Sequence, residues 1–169
     1  DTIRAIRNEN PGAQVEALIS DAKGTDSLDA VLNEHPDVLN HNIETVARLQ
    51  RMVRPSAGYA RSLSVLARSR AAGLTTKSGF MLGLGETREE VEATLTDLAS
   101  VGVNIVTIGQ YLRPSAQHLP VVRYAEPTEF EHYKQFGERL GINHVESSPL
   151  TRSSYHAKDA HRNSSPLLH

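Results

Sequence analysis

Residues 77–108, KSGFMLGLGETREEVEATLTDLASVGVNIVTI, decide the fold. The run 77–82 is a strand that enters a glycine-rich turn. Thr87 with Glu90 three residues on is a capping-box helix start, Val91, Leu95 and Leu98 share one helical face, and Gly102 stops the helix. Residues 103–108 are then a second strand, handing over to Gly109-Gln110. Strand, helix and strand at these lengths make a βαβ unit, and hence a parallel sheet.

The same alternation extends outward in both directions. Residues 15–19 (VEALI) follow the turn signal Asn10-Pro11-Gly12, and a helix over 26–33 ends before Pro36. Val38-Leu39 opens another strand, ending on Asn40-His41-Asn42. Helices are expected over 44–52 and 59–72, the second closed by Gly73, and over 128–140, closed by Gly141. One further short strand is expected at 144–146, and from Pro149 the chain is polar and tail-like. Each strand passes to polar or glycine residues at its carboxyl end, where α/β barrels and open α/β sheets hold their ligands.

Composition narrows the function. Apolar residues make up 38% of the 169 and charged residues 22%, as in globular domains, and the net charge of -2 favours neither nucleic acid nor an anionic membrane. No apolar run approaches the roughly 20 residues of a bilayer span, and no signal-peptide pattern is visible. A cytoplasmic or organelle-matrix protein is therefore the expectation. There is no cysteine, so disulfides, thiol nucleophiles and self-contained cysteine-ligated iron–sulfur sites are excluded within these residues. The eight histidines have no zinc-site spacing, and G-x-S-x-G is absent. The chain begins at Asp1 inside a helical pattern carried by Ile3 and Ile6, so its first element reads as cut from something longer.

Four strings could carry chemistry. Asn40-His41-Asn42-Ile43-Glu44 lies between a strand end and a helix start. Asn42 could simply cap that helix, with Glu44 on its dipole. Alternatively, two amides and a carboxylate point at a ligand's ammonium or hydroxyl groups. Gly79 to Glu86 is neither G-x-G-x-x-G nor a Walker loop. It is a close-packing turn, or a backbone bared toward a nucleoside with Glu86 organising it. Gln110-Tyr111, before Pro114, fits a structural loop as well as a pocket wall. Arg152-Ser153-Ser154-Tyr155-His156 is a polar tail by composition, although a serine beside an arginine could present an oxygen to a metal.

Read in order, residues 37–46 (DVLNHNIETV), 76–86 (TKSGFMLGLGE), 107–115 (TIGQYLRPS) and 152–157 (RSSYHA) resemble lipoyl synthase, a radical S-adenosylmethionine family. The resemblance extends, with Val53-Arg54-Pro55, over most of residues 1–157. It implies a partial (β/α)6 TIM-like barrel of which roughly the last four βα units are present, with 1–149 the barrel part and 150–169 the tail. It implies insertion of two sulfur atoms at C6 and C8 of a protein-bound octanoyl group. Two [4Fe–4S] clusters would be needed, one cleaving S-adenosylmethionine to a 5′-deoxyadenosyl radical and an auxiliary one supplying sulfur. The expected partners are octanoylated lipoyl domains or H protein, and an electron donor such as flavodoxin or ferredoxin.

Carried onto this sequence, the resemblance places Asn42, Glu44 and Arg54 near the methionine part of S-adenosylmethionine and Gly83, Glu86, Gln110 and Tyr111 around its adenine, with Asn40 also among the cofactor-binding residues. Ser153, or else Ser154, would be an auxiliary-cluster ligand. The family's cysteine motifs are absent, so the chain is expected to be an inactive fragment that binds no iron by itself. A half-barrel with open strand edges is also expected to aggregate. The alternative is a degenerate, non-catalytic paralogue acting as a binding module. RSSYH and NHNIET argue against biotin synthase, another enzyme on the same barrel.

Overall fold

The computed structural model describes residues 2–21 and 25–153. Five strands, β1 (Glu16–Leu18), β2 (Val38–Asn40), β3 (Thr75–Leu82), β4 (Ile105–Gln110) and β5 (His144–Ser147), form one sheet in the order 1-2-3-4-5. Every pairing is parallel. Helix α1 (Thr2–Glu9) precedes the sheet. The crossovers carry α2 (Thr25–Leu32), the short α3 (Gln50–Val53), α4 (Tyr59–Ala71), α5 (Arg88–Ser100) and α6 (Pro127–Arg139).

The strand order distinguishes a barrel from a doubly wound sheet. Each crossover steps the same way and connections of this kind are right-handed, so the helices stack on one face. A doubly wound sheet would reverse direction at a switch point, and none occurs among these strands. Four βα units and a fifth strand make an arc of a (β/α) barrel, as the resemblance implied.

The period of two in the strands separates two chemistries. Phe80 and Leu82 of β3 and Val106 and Ile108 of β4 join Leu66, Val91, Leu95, Leu98, Phe130 and Tyr133 in one buried cluster beneath the helices. Leu95 and Leu98 of α5 are fully buried there, and each stabilises the fold by about 1.5–3 kcal/mol. The alternate positions, facing the barrel interior, include the polar or bare Glu16, Asn40, Lys77, Gly79, Thr107 and Gly109 beside the apolar Val38, Met81 and Ile105. Lys77 is 1% exposed, and its Nζ donates to both Glu16 carboxylate oxygens at 3.0 and 3.1 Å.

Local signals are realised where they are self-contained. Thr87 Oγ1 accepts from Glu90 N–H at 3.3 Å and Glu90 accepts in turn from Thr87 N–H at 2.8 Å, completing the capping box. Gly73 (φ 85°), Gly102 (φ 77°) and Gly141 (φ 92°) adopt the left-handed conformation that ends a helix.

Three boundaries differ from expectation. The helix expected over 44–52 is a 3-10 turn, Ala47–Leu49, leading into α3. Glu44 is outside it: its N–H donates to Gly79 O at 2.9 Å and its carbonyl accepts from Met81 N–H at 3.0 Å. The backbone after β2 thus continues the ladder with β3, and Glu44 takes φ 68° to do so. Strand β4 runs to Gln110 rather than stopping at 108, because Gly109 and Gln110 pair with Met81 and Leu82. Finally, Thr151 is 2% exposed and packs its backbone against Gly109, so the first residues of the expected tail belong to the folded unit.

Candidate functional site

At the carboxyl ends of β2, β3 and β4 the sheet opens into a cavity of about 210 Å3. Asn42, Glu44, Gly79, Thr107, Gly109, Arg152 and Ser153 are among its walls. A second cavity of about 460 Å3 shares Glu44 and Met81 with the first and adds Met52, Arg54, Leu84 and Tyr111.

Two glycines make the first cavity possible. A Cβ on Gly79 would lie 2.5 Å from Thr107 Oγ1 and 3.1 Å from Asn42 Oδ1. A Cβ on Gly109 would overlap Thr151 O, and the Arg152 guanidinium crosses the same spot at 3.2 Å. Both glycines therefore permit close approach of backbone and polar side chains rather than an unusual backbone turn.

Asn42 and Glu44 are the polar centre. Asn42 does not cap the following helix: the residue before the 3-10 turn is Val46, with no side-chain cap. Its Oδ1 is buried with no hydrogen-bond partner, an acceptor facing Gly79. Glu44 is held in the left-handed region, which is costly for a side-chain-bearing residue and common at functional sites. Burial pushes its carboxyl above the ordinary value, while the Asn42 amide and the Arg54 charge pull it down. Arg54 donates from Nη1 to Asn42 O at 2.9 Å and from Nη2 to Asp21 at 3.1 Å. The buried Asp21 also lies 3.5 Å from His41 Nε2. His41 is structural. It spans Ile19 O at 3.1 Å and Ser62 Oγ at 3.0 Å, and burial lowers its pKa, which keeps the ring neutral.

The remaining candidates separate. Asn40 lies deeper, donating to Glu16 at 2.7 Å. Gly83 and Glu86 are in the loop after β3, where Glu86 accepts from Gly83 N–H at 2.6 Å and Leu84 N–H at 2.9 Å. Gln110 lines the first cavity, but its amide donates to Tyr111 O and Arg123 O and accepts from Ala125 N–H. Tyr111 presents its ring to the second cavity and its hydroxyl to Leu119 O at 2.9 Å. Ser153 is on the first cavity's wall, whereas Ser154 and the rest of 154–169 lie outside the described residues. Among the described residues no group of three or more His, Cys, Asp or Glu could hold a metal ion. The residues present therefore do not fit a complete iron–sulfur site.

Thr107 and Gly109 were not singled out as candidates, and Gly79 and Arg152 entered only as members of their strings, although the alternation 77, 79, 81 and 105, 107, 109 already put the strand residues on one face.

Two expected results follow from this geometry. Glu86→Ala leaves the Gly83 and Leu84 N–H groups without their charged acceptor and should cost about 2–4 kcal/mol, read from denaturant unfolding. Glu44→Gln should raise the melting temperature at pH 7. The folded-state pKa of Glu44 lies above its unfolded value, so the carboxylate's penalty grows as pH rises through that window and is complete above it. The advantage of the glutamine variant should accordingly vanish below the ordinary carboxylate pKa, and a pH-independent difference in melting temperature would contradict this origin.

Comparison with known proteins agrees with the sheet. Among similar chains are lipoyl synthases of Rubrobacter xylanophilus, 56% identical over 94% of this chain, and Chlorobaculum parvum, 55% identical over 94%. A mitochondrial lipoyl synthase of Nematostella vectensis is 52% identical over 94%. The chain spans about half the length of these relatives, 50% of the first and 55% of the other two. A domain of a pyruvate-formate lyase-activating enzyme from Bacteroides vulgatus superposes with a TM-score of 0.59, covering 85% of this chain and 88% of that one. At 10% identity that likeness concerns the fold alone. No helix among the described residues is long and apolar enough to cross a membrane. With the radical SAM superfamily model matching residues 1–98, more than half of its length, the chain belongs to the radical SAM superfamily.

Proposed function

We infer that this chain forms the S-adenosylmethionine-holding part of a lipoyl synthase, acting on an octanoyl group carried by a lipoyl domain or H protein. One observation carries the reading. The unpartnered Asn42 Oδ1 faces Gly79 beside the carboxylate of Glu44, itself held in a left-handed conformation. The acceptor borders the space that any side chain at position 79 would occupy, and Glu44 lines the same cavity.

S-adenosylmethionine fits that chemistry. Its ammonium and ribose hydroxyls are donors for Asn42 Oδ1 and Glu44, and its carboxylate is a partner for the Arg54 guanidinium across the shared wall. Leu84 and Tyr111 offer apolar and aromatic surface for the adenine. Here Glu86 and Gln110 act indirectly, by fixing the loops that shape the walls. When bound, S-adenosylmethionine supplies a reactive deoxyadenosyl group, and the role of this chain is to orient it and keep water from it. The iron–sulfur chemistry requires cysteines that these 169 residues lack, and Ser153, a lining residue of the cavity, could contribute a single hydroxyl oxygen. Reduction would come from a small electron-transfer protein of the flavodoxin or ferredoxin class.

The test uses a chimera in which this chain replaces the matched portion of the Rubrobacter xylanophilus lipoyl synthase. After anaerobic reconstitution it should bind S-adenosylmethionine in equilibrium dialysis, and Glu44→Gln should weaken binding about tenfold. Binding unaffected by Glu44→Gln would remove this cavity from consideration.

A further inference from the structure

Outside the barrel, between α3 and α4, lies a groove of about 720 Å3 that shares no lining residue with the two cavities at the mouth. Gln50, Arg51, Ser56, Gly58, Tyr59 and Arg61 line it.

Helix α4 begins at this groove with its first turn open. Gly58, in extended conformation, offers no side chain to cap it. The N–H groups of Tyr59, Ala60 and Arg61 have no partner one turn back, as helix geometry dictates. There is no acidic residue in that turn. Instead Arg61 places a cation at the positive end of the helix dipole, the unfavourable arrangement unless an anion sits between them. Arg51 and Arg61 are exposed and form no ion pair among the described residues.

An independent feature points the same way. Gln50 is 3% exposed, and neither its amide nitrogen nor its amide oxygen has a hydrogen-bond partner. Buried amides are ordinarily satisfied. The carboxylate beside the groove, Asp97, is engaged by the Tyr59 hydroxyl at 2.9 Å.

We propose that this groove binds a phosphate monoester, whose oxygens take the α4 N-terminal amides and the Arg51 and Arg61 guanidiniums while the esterified group meets the Gln50 amide. Phosphate is favoured over carboxylate because two guanidinium forks, a serine hydroxyl and a turn of backbone N–H groups offer more donors than two oxygens accept. The site is independent of the assignment at the barrel mouth.

The experiment is isothermal titration of the chimera, which keeps the full chain, at fixed ionic strength. Inorganic phosphate and phosphoserine are the probes, with acetate and chloride as comparators. Both phosphates should bind more tightly than acetate, at one site. Arg51→Gln and Arg61→Gln should each weaken phosphoserine about tenfold, as for loss of one charge-assisted bond. Both residues are exposed, so circular dichroism should be unchanged. Gln50→Leu should weaken phosphoserine more than inorganic phosphate. Phosphate binding no tighter than acetate, or phosphoserine affinity unmoved by the two arginine substitutions, overturns the proposal.

Discussion

Gly79→Val should reduce S-adenosylmethionine binding by the reconstituted chimera by about a hundredfold or more, equivalent to roughly 2.7 kcal/mol. The first added carbon already meets Thr107 Oγ1 at 2.5 Å, Asn42 Oδ1 at 3.1 Å and Thr107 O at 3.3 Å. The hydroxyl can rotate away, but the carbonyl is part of β4 and cannot. The two methyl groups beyond that carbon must then enter the cavity where the ligand's polar groups are proposed to sit. Valine is a good strand residue, so the sheet itself should tolerate the change better than the ligand does. Far-ultraviolet circular dichroism should therefore stay near that of the parent while binding is lost. Affinity within about threefold of the parent, with the fold intact, would place the ligand elsewhere.

Ser153→Ala is the second large effect. Ser153 lines the same cavity, with Arg152 and Thr151. Thr151 is anchored through its N–H to Ser148 O at 3.1 Å and through its carbonyl to Arg152 Nη1 at 2.6 Å. Alanine removes one oxygen while leaving this anchor in place. On the reading of Ser153 as a donor to sulfur-supplying chemistry, lipoyl product should fall about a hundredfold, while 5′-deoxyadenosine release changes by less than about threefold. Equal loss of both would instead assign Ser153 to S-adenosylmethionine binding. Preservation of both would leave it with neither task.

The parts of the fold that were legible in sequence are those set by neighbours in the chain. Thr87 and Glu90 meet across one helical turn, and Gly102 ends what they begin, so α5 could be read from residues 87–102 alone. The apolar helix-facing positions of β3 and β4 follow from their alternation. What escaped depends on strand register. That Gly79 faces Thr107 follows from the pairing of the two strands. That Gly109 is the floor under Thr151 and Arg152 requires a contact between segments far apart in the chain. Glu44 illustrates the same limit. Its residue type and position after Asn42 allowed it to be a dipole partner or a ligand group. Its left-handed backbone arises from bonds to Gly79 and Met81, which no local pattern encodes. Polar composition made residues 150–153 look like a tail, whereas burial of Thr151 depends on a glycine far upstream.

The central claim is that this arc of barrel holds S-adenosylmethionine for sulfur insertion. It is tested most directly by incubating the reconstituted chimera with octanoylated H protein, S-adenosylmethionine and a reductant, then reading the intact mass of the H protein. The expected result is conversion of octanoyl to lipoyl, with two sulfur atoms gained on one carrier and loss of that gain in Gly79→Val. Release of 5′-deoxyadenosine with no sulfur transferred to the carrier, by a chimera whose clusters are spectroscopically intact, would contradict it.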